Sequence, residues 1–367
     1  MEFNVELDAR EDVPQWMEYG TPVFTILAAL AVSGVALFAL GVNPIAAYEI
    51  MFIQTLTTEF GLTETVAKAV PLIFAGLAVY VPLKAQLWNI GAEGQLFIGA
   101  IAGTWIGLNV SLPMVALLPL MFVGAGIAGA LWVAIPAVLR AKWGINEIIT
   151  TLLFTFIAAD VKNYVVRGPM QAPGANFPQT AQLPVAAQLP DIPGIGFPVG
   201  ILLAIVFVAL TYALVNHTRL GFEITFIGAN DRAAEQAGMS KYKIYLFVLM
   251  AGGAFGGFAG ISEISGVQSR LRAFFAPGYG FTAIPIALLG RNGAFQVLLA
   301  AIFFAVIFVG GSSIETLLSV PAAIVDIIQA LIILFLLTAE FFKQYSVDLS
   351  LNRDRDPRGV TQPDGEI

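Results

Sequence analysis

Long runs of apolar residues, separated by short polar segments, dominate the sequence. A helix that crosses a bilayer needs about 20 mostly apolar residues. Runs of roughly this kind lie at 22–41, 68–83, 91–110, 112–139, 145–165, 198–215, 244–261, 295–311 and 321–342, with a shorter one at 281–290. The pattern predicts an all-α, polytopic transmembrane helical bundle of about ten spans, one of them short or broken.

Composition supports a membrane protein and excludes several kinds of active site. Of the 367 residues, 58% are hydrophobic and 12% are charged, whereas a soluble domain has about 25% charged residues. The mean hydropathy is +0.83. The absence of cysteine excludes disulfides and thiolate metal sites, and the single histidine, His217, cannot form a zinc site or a catalytic triad alone. The sequence contains no GxxxxGK(S/T) motif, so it lacks the usual ATP-binding loop.

The basic residues predict the orientation of the bundle. If the N-terminus is cytoplasmic, the majority of Lys and Arg residues, Arg140 and Arg232 among them, fall on the cytoplasmic side. The positive-inside rule therefore predicts that both termini are cytoplasmic.

This orientation assigns a side of the membrane to each polar segment. An acidic segment, 1–21, precedes a transmembrane domain at 22–342, and a polar cytoplasmic tail follows at 343–367. The Pro-rich stretch 166–197 cannot form a continuous helix, so we expect it to be an external loop. Residues 216–243 form a cytoplasmic loop.

Glycines recur at every fourth position in two of the predicted spans, which places them on one helix face. They are Gly99, Gly103 and Gly107 in one span and Gly252, Gly256 and Gly260 in the other. Small residues let helices approach closely, so we assign both faces to helix packing.

Polar groups inside the apolar region are informative, because each one costs several kcal/mol unless it is paired or faces water. The segment LWNIGAEGQ, 87–95, interrupts the pattern between two spans and indicates a broken or re-entrant backbone. Asn146 and Glu147 mark the start of another span. Two interpretations stay open for these groups: they line a solute pathway or gate, or they hydrogen-bond between helices.

The cytoplasmic loop contains an alanine-rich stretch, 229–239, with polar residues between the alanines. This pattern predicts a short amphipathic helix at the membrane surface. It is either a simple interfacial helix or a docking element for a soluble partner.

Four segments, in order, resemble the permeases of ABC importers for simple sugars and nucleosides, in the branched-chain amino acid and ribose-type permease superfamily. They are PLIFAGLA with LWNIGAEGQL (71–78 and 87–96), GINEIITT (144–151), GFE with GAN (221–223 and 228–230), and GYGFTAI with LLGRN (278–284 and 288–292). Trp88 stands where the family has Phe. The resemblance covers roughly residues 65–342.

The resemblance implies a transport subunit and not an enzyme. Its expected partners are a second permease, a cytoplasmic ABC ATPase that uses the ATP, and an external solute-binding lipoprotein, with no cofactor in this chain and no nucleic acid. It implies a multi-pass protein of the plasma membrane. The coupling loop would meet the ATPase through Ala229, Asn230, Arg232, Ala233, Ala234, Ala237 and Gly238.

The resemblance also implies a small neutral solute, a monosaccharide such as glucose or a nucleoside. Such a solute needs amide, hydroxyl and aromatic partners, so the candidate pathway residues are Trp88, Asn89, Glu93, Gln95, Asn146 and Glu147. A secondary transporter is the alternative, but it would predict paired carboxylates at mid-membrane and two related halves, which the sequence does not display. A structural membrane protein would not account for four ordered segments.

Overall fold

The computed structural model describes residues 2–9, 15–275 and 277–352. The chain divides into two units, one made of residues 1–32 and 331–367 and the other of residues 33–330. The helices are α1 Gln15–Ala39, α2 Pro44–Tyr48, α3 Thr55–Thr57, α4 Glu59–Lys84, α5 Ala92–Asn109, α6 Met114–Trp143, α7 Glu147–Arg167, α8 Gly200–His217, α9 Arg219–Ala229, α10 Asp231–Gln236, α11 Lys241–Glu263, α12 Tyr279–Leu289, α13 Ala294–Leu318 and α14 Ala322–Gln344.

The first unit contains two strands that the sequence analysis did not predict. Strand β1, Glu2–Ala9, pairs antiparallel with β2, Tyr345–Asn352, from Glu2 opposite Asn352 to Ala9 opposite Tyr345. The polar tail predicted at 343–367 thus begins as the end of α14 and a strand, and its last residues, 353–367, lie outside the described residues.

The second unit is a helical bundle, as the sequence predicts. Over the described residues, six segments are long and apolar enough to cross a membrane: Glu59–Lys84, Met114–Trp143, Glu147–Arg167, Gly200–His217, Lys241–Gln268 and Ala294–Leu318. Shorter apolar helical segments lie at Phe24–Ala39, Tyr279–Leu289 and Ala322–Leu336. The short run at 281–290 forms α12, of 11 residues. The exact number of spans and their orientation stay predictions.

Helix α11 packs in the centre of this bundle, and its glycines allow backbones to touch. A Cβ on Gly260 would lie 2.0 Å from the carbonyl oxygen of Leu96 in α5, and one on Gly257 would lie 2.1 Å from that of Ala125 in α6. Such distances exclude any side chain, so α11 packs directly against the backbones of both neighbours.

The other glycines assigned to packing also lie at helix contacts. A Cβ on Gly99 would meet the backbone of Gly257 in α11, and one on Gly103 would meet the side chain of Ile261 in α11. A Cβ on Gly252 would lie 2.5 Å from the carbonyl oxygen of Ala78, one on Gly256 2.7 Å from the Cβ of Gln95, and one on Gly107 2.9 Å from Leu183 and Met121.

The Pro-rich loop 166–197 is ordered by backbone hydrogen bonds to the segment that joins α11 to α12. The amide of Thr180 donates to the carbonyl of Leu271 (2.9 Å), and that of Leu183 donates to the carbonyl of Ser269 (2.8 Å). The hydroxyl of Thr180 accepts from the amide of Leu271. The loop therefore forms a structured wall beside the end of α11.

Candidate functional site

An amide pair holds the broken backbone between α4 and α5. Asn89 Nδ2 donates to Gln95 Oε1 (2.9 Å), and Gln95 Nε2 donates back to Asn89 Oδ1 (2.7 Å), with both residues buried. Asn89 Nδ2 also donates to the carbonyl of Ala78 (3.0 Å). That carbonyl would normally accept from residue 82, which is Pro82 and has no N–H. The amide pair therefore fills a gap in the hydrogen bonding of α4.

Glu93 joins this segment to a distant one. Its carboxylate accepts from the amides of Gly278 (3.0 Å) and Gly280 (2.6 Å), at the start of α12. A carboxylate there satisfies free amides and complements the helix dipole. Gly278 has a φ of +70°, and a Cβ on Gly280 would lie 2.0 Å from the nitrogen of Glu93. The GAEG and GYG sequences therefore form one structural unit. We use the name amide clamp for this unit together with Asn89 and Gln95.

Lys162 of α7 supports the same unit, and the sequence analysis did not single it out. Its ammonium donates to the carbonyl of Phe275 and lies 4.4 Å from the centre of the Phe97 ring. It also interacts electrostatically with Glu93. A lysine among the apolar residues of a predicted span could have indicated this role, because a charged group in the membrane needs a partner.

Of the remaining candidate pathway residues, Trp88 lies between α4 and α5, and Asn146 and Glu147 lie at the start of α7. Glu147 is buried, accepts from the amide of Trp88 (3.3 Å) and forms an ion pair with Arg140 (3.1 Å). Asn146 is exposed and caps α7 by accepting from the amide of Ile148 (2.8 Å). Trp88 and Glu147 thus adjoin the amide clamp, whereas Asn146 does not. The pathway role of all six residues stays a prediction.

The predicted coupling stretch folds into the short helix α10. Asn230 caps its start by accepting from the amide of Ala233 (3.0 Å), and Gly238 ends it with a φ of +80°. Ala234 is buried and Arg232 is exposed. Asp231 pairs with Lys241 across the base of the turn, and this hydrogen bond lowers the pKa of the Asp231 carboxyl.

Contacts connect the helix before the coupling stretch, α9, to the ends of α4 and α12. A Cβ on Gly228, near the end of α9, would lie 2.3 Å from the carbonyl oxygen of Lys84, the last residue of α4. The Lys84 ammonium donates to the carbonyl of Arg291 (2.7 Å), just after α12. The end of α9 therefore packs against the end of α4, which is hydrogen-bonded to the segment after α12.

A separate cavity of about 1170 Å³, with charged and hydroxyl-bearing residues among a mainly apolar lining, lies at the other ends of these helices. It is lined by the start of α4, the ends of α11 and α13, the start of α12 and part of the Pro-rich loop. Lys68 and Glu263 form an ion pair at its wall (3.1 Å). The described residues that line it include none of the six candidate pathway residues.

Comparison with known proteins decides the family. Residues 61–337 match the family described as "Branched-chain amino acid transport system / permease component". The chain belongs to this permease family. It is the multi-pass membrane subunit of an ABC importer, which sets aside a secondary transporter and a structural protein.

Individual permeases resemble the chain over most of its length. The glucose ABC transporter permease protein TsgB13 of Haloferax volcanii is 60% identical over 96% of both chains. The guanosine ABC transporter permease protein NupP of Bacillus subtilis is 32% identical over 86% of this chain and 91% of its own. Haloferax volcanii also has the putative glucose ABC transporter permease protein TsgC13, which is 24% identical over 66% of this chain and 74% of its own.

Proposed function

We propose that this permease translocates a neutral, hydroxyl-rich solute, and that the solute is a monosaccharide such as glucose. One observation carries the proposal: the 60% identity to a glucose permease extends over 96% of both chains. The second candidate is a nucleoside, supported by the 32% identity to a guanosine permease.

Uptake in cells tests the solute. We expect deletion of this chain to abolish ATP-dependent uptake of labelled glucose and to leave labelled guanosine uptake unchanged, with ATP depletion as the control. Loss of guanosine uptake alone would replace glucose by a nucleoside. Unchanged uptake of both solutes would contradict the proposal.

We further propose the assembly in which the chain works. A second permease completes the membrane part, supported by the occurrence of two such relatives in Haloferax volcanii. A cytoplasmic ATPase, which alone uses ATP, docks on α10, and an external solute-binding lipoprotein delivers solute on the side of the Pro-rich loop. In support, α10 presents the exposed Arg232 and lies beside a contact path to α4 and α12.

Charge reversal on α10 tests the ATPase contact. Arg232→Glu should weaken association of the ATPase with the purified permease and lower uptake by about tenfold, the loss of an interfacial charge contact of about 1.4 kcal/mol. Lys142→Glu is the matched control, because Lys142 is exposed at the same predicted side of the membrane, in the last turn of α6. Equal ATPase content and equal uptake in the two variants would contradict the docking site.

The proposed topology has ten spans and two cytoplasmic termini, and the natural absence of cysteine makes it directly testable. Phe177, in the Pro-rich loop, is 74% exposed. We expect Phe177→Cys to react with a membrane-impermeant maleimide in intact cells, and Arg232→Cys to react only after lysis. The reverse pattern would invert the topology.

A further inference from the structure

Glu263 holds a buried carboxylate oxygen without a well-formed hydrogen bond among the residues that the structure describes. The residue ends α11 and is 0% exposed. Its Oε1 accepts from Lys68 Nζ and from Gln268 Nε2, both at 3.1 Å. Its Oε2 is covered and accepts no well-formed hydrogen bond from the described residues, and the Tyr279 side chain lies within interacting distance of the carboxylate. Buried polar oxygens are nearly always paired, so an incompletely paired carboxylate at a cavity wall is a candidate contact for a ligand.

The local backbone directs these groups to the cavity. After Glu263 the helix widens into a π-helical turn, Ile264–Gln268, which stops at Ser269 with a φ of +54°. The wider turn brings Gln268, five residues on, within hydrogen-bonding distance of Glu263. Such π turns occur frequently at functional sites. Both residues and Lys68 line the cavity.

The rest of the cavity suits a small hydroxyl-rich molecule. Ser312, Ser313 and Thr316 of α13 supply hydroxyl groups to its wall, and Tyr279 and Phe308 supply aromatic rings. Its volume of about 1170 Å³ is slightly above the range of about 300–1,000 Å³ that is usual for small-molecule sites. A monosaccharide or a nucleoside therefore fits with bound water.

We propose that Glu263 and Lys68 bind two neighbouring hydroxyl groups of the solute. The Oε2 of Glu263 accepts the hydrogen of one hydroxyl, and the Lys68 ammonium donates to the oxygen of the next. Lys68, Gln268 and Tyr279 surround the carboxylate, so one of these side chains shifts to open Oε2 to the cavity. The proposal rests on the proposed function for its solute class, since vicinal hydroxyls occur in a pyranose and in the ribose of a nucleoside.

Deoxygenated solutes test the contact through a cycle of solute and protein changes. The assembled importer, purified through a tag on this chain and held in lipid nanodiscs, is titrated with glucose and with each of its monodeoxy analogues by saturation-transfer NMR. For the wild type we expect removal of one of two adjacent hydroxyls to raise the Kd about tenfold, which corresponds to one charge-assisted hydrogen bond. In the Glu263→Gln variant, the Kd of the same analogue should lie within about twofold of the Kd of glucose. The hydroxyl that the analogue lacks has no charged acceptor in this variant, so its removal costs little.

Two further variants separate binding from folding. Glu64→Gln removes a carboxylate from the same cavity and should keep the tenfold penalty. If Glu263→Gln does not assemble, Glu263→Asp keeps the charge but withdraws the carboxylate from the cavity by one methylene, and the tenfold difference in Kd should again shrink. An unchanged penalty in either Glu263 variant would overturn the proposal, because a purely structural residue would leave the pattern of hydroxyl preferences intact.

The two proposals fail separately. If cells take up glucose but the importer in nanodiscs binds neither glucose nor guanosine, the diol site is wrong and the proposed function stands. If glucose does not bind, but guanosine binds and the Kd of 2′-deoxyguanosine or 3′-deoxyguanosine is about tenfold higher than that of guanosine, the diol site stands and the glucose proposal is wrong.

Discussion

The amide clamp and the cavity beside Glu263 both contain buried polar groups, but they differ in how completely those groups are paired. In the clamp, the amides of Asn89 and Gln95 satisfy each other, and both oxygens of Glu93 accept backbone hydrogens. In the cavity, one oxygen of Glu263 has no well-formed hydrogen bond among the described residues, although the Tyr279 side chain lies close to the carboxylate. Complete pairing favours one rigid geometry, whereas an incompletely paired group at a cavity wall is available to another molecule.

This difference bears on how a motif is interpreted. The segment LWNIGAEGQ is the most recognisable part of the sequence, and its polar side chains have structural partners. The cavity is assembled from residues far apart in the chain, such as Lys68, Glu263 and Ser312, none of which belongs to a recognisable motif. In this chain, the most recognisable motif therefore consists of residues that pack and pair with one another, and the cavity residues lie outside it.

The largest effect is expected where α11 touches the backbone next to the clamp. Gly260→Ala would place a Cβ 2.0 Å from the carbonyl oxygen of Leu96, so we expect a destabilisation of about 3 kcal/mol or more. Gly266→Ala, beside the cavity, is the control, since its Cβ would meet only Leu189 at 3.4 Å. Thermal inactivation of the purified importer measures both, and equal midpoints would show that the close approach is not required.

Removing the charge of the clamp should have the next largest effect. Glu93→Gln replaces one acceptor of a backbone amide by a donor, and we expect a loss of about 2 kcal/mol, because a buried N–H at the start of α12 is left unpaired. Glu315→Gln makes the same change at an exposed position of α13. Amide hydrogen exchange should increase across residues 278–289 in the first variant alone. Unchanged exchange there would remove Glu93 from the clamp.

A double-mutant cycle tests whether the two clamp amides act as a pair. Asn89→Leu and Gln95→Leu should each destabilise the importer, and the double variant should lose about 1 to 2 kcal/mol less than the sum of the two, because the second substitution no longer strands a buried amide. Strictly additive losses would indicate that the amides act independently.

The smallest effect is expected at the coupling turn, where the charges are exposed. The pKa of Asp231 is lowered by Lys241, so its pairing stabilises the turn above the ordinary pKa of Asp and is lost as the pH falls through the lowered value. Asp231→Asn should therefore speed hydrogen exchange of residues 231–240 slightly at neutral pH, after correction for intrinsic rates. Acidification should then change the wild type more than the variant. Equal responses would show that the pair does not order the turn.

Local patterns were sufficient to predict the helices but not their meeting points. The run at 244–261 lies within α11, Lys241–Glu263, and the stretch 229–239 contains α10, because apolar length and capping residues act over a few neighbours. The bond between Glu93 and Gly280 joins residues 187 positions apart. The cavity and the contact of Lys162 with Phe275 likewise depend on which helices become neighbours, and the pairing of β1 with β2 joins the two ends of the chain.

The most direct test asks whether solute contacts the cavity or the clamp. Ser312 is exposed in the cavity wall, Trp88 is half-buried beside the clamp, and the chain has no other cysteine to label once either is replaced. We predict that saturating glucose slows maleimide labelling of Ser312→Cys in the assembled importer held in nanodiscs and leaves that of Trp88→Cys unchanged. Protection of Trp88→Cys without protection of Ser312→Cys would contradict the account and would place the solute against the LWNIGAEGQ segment.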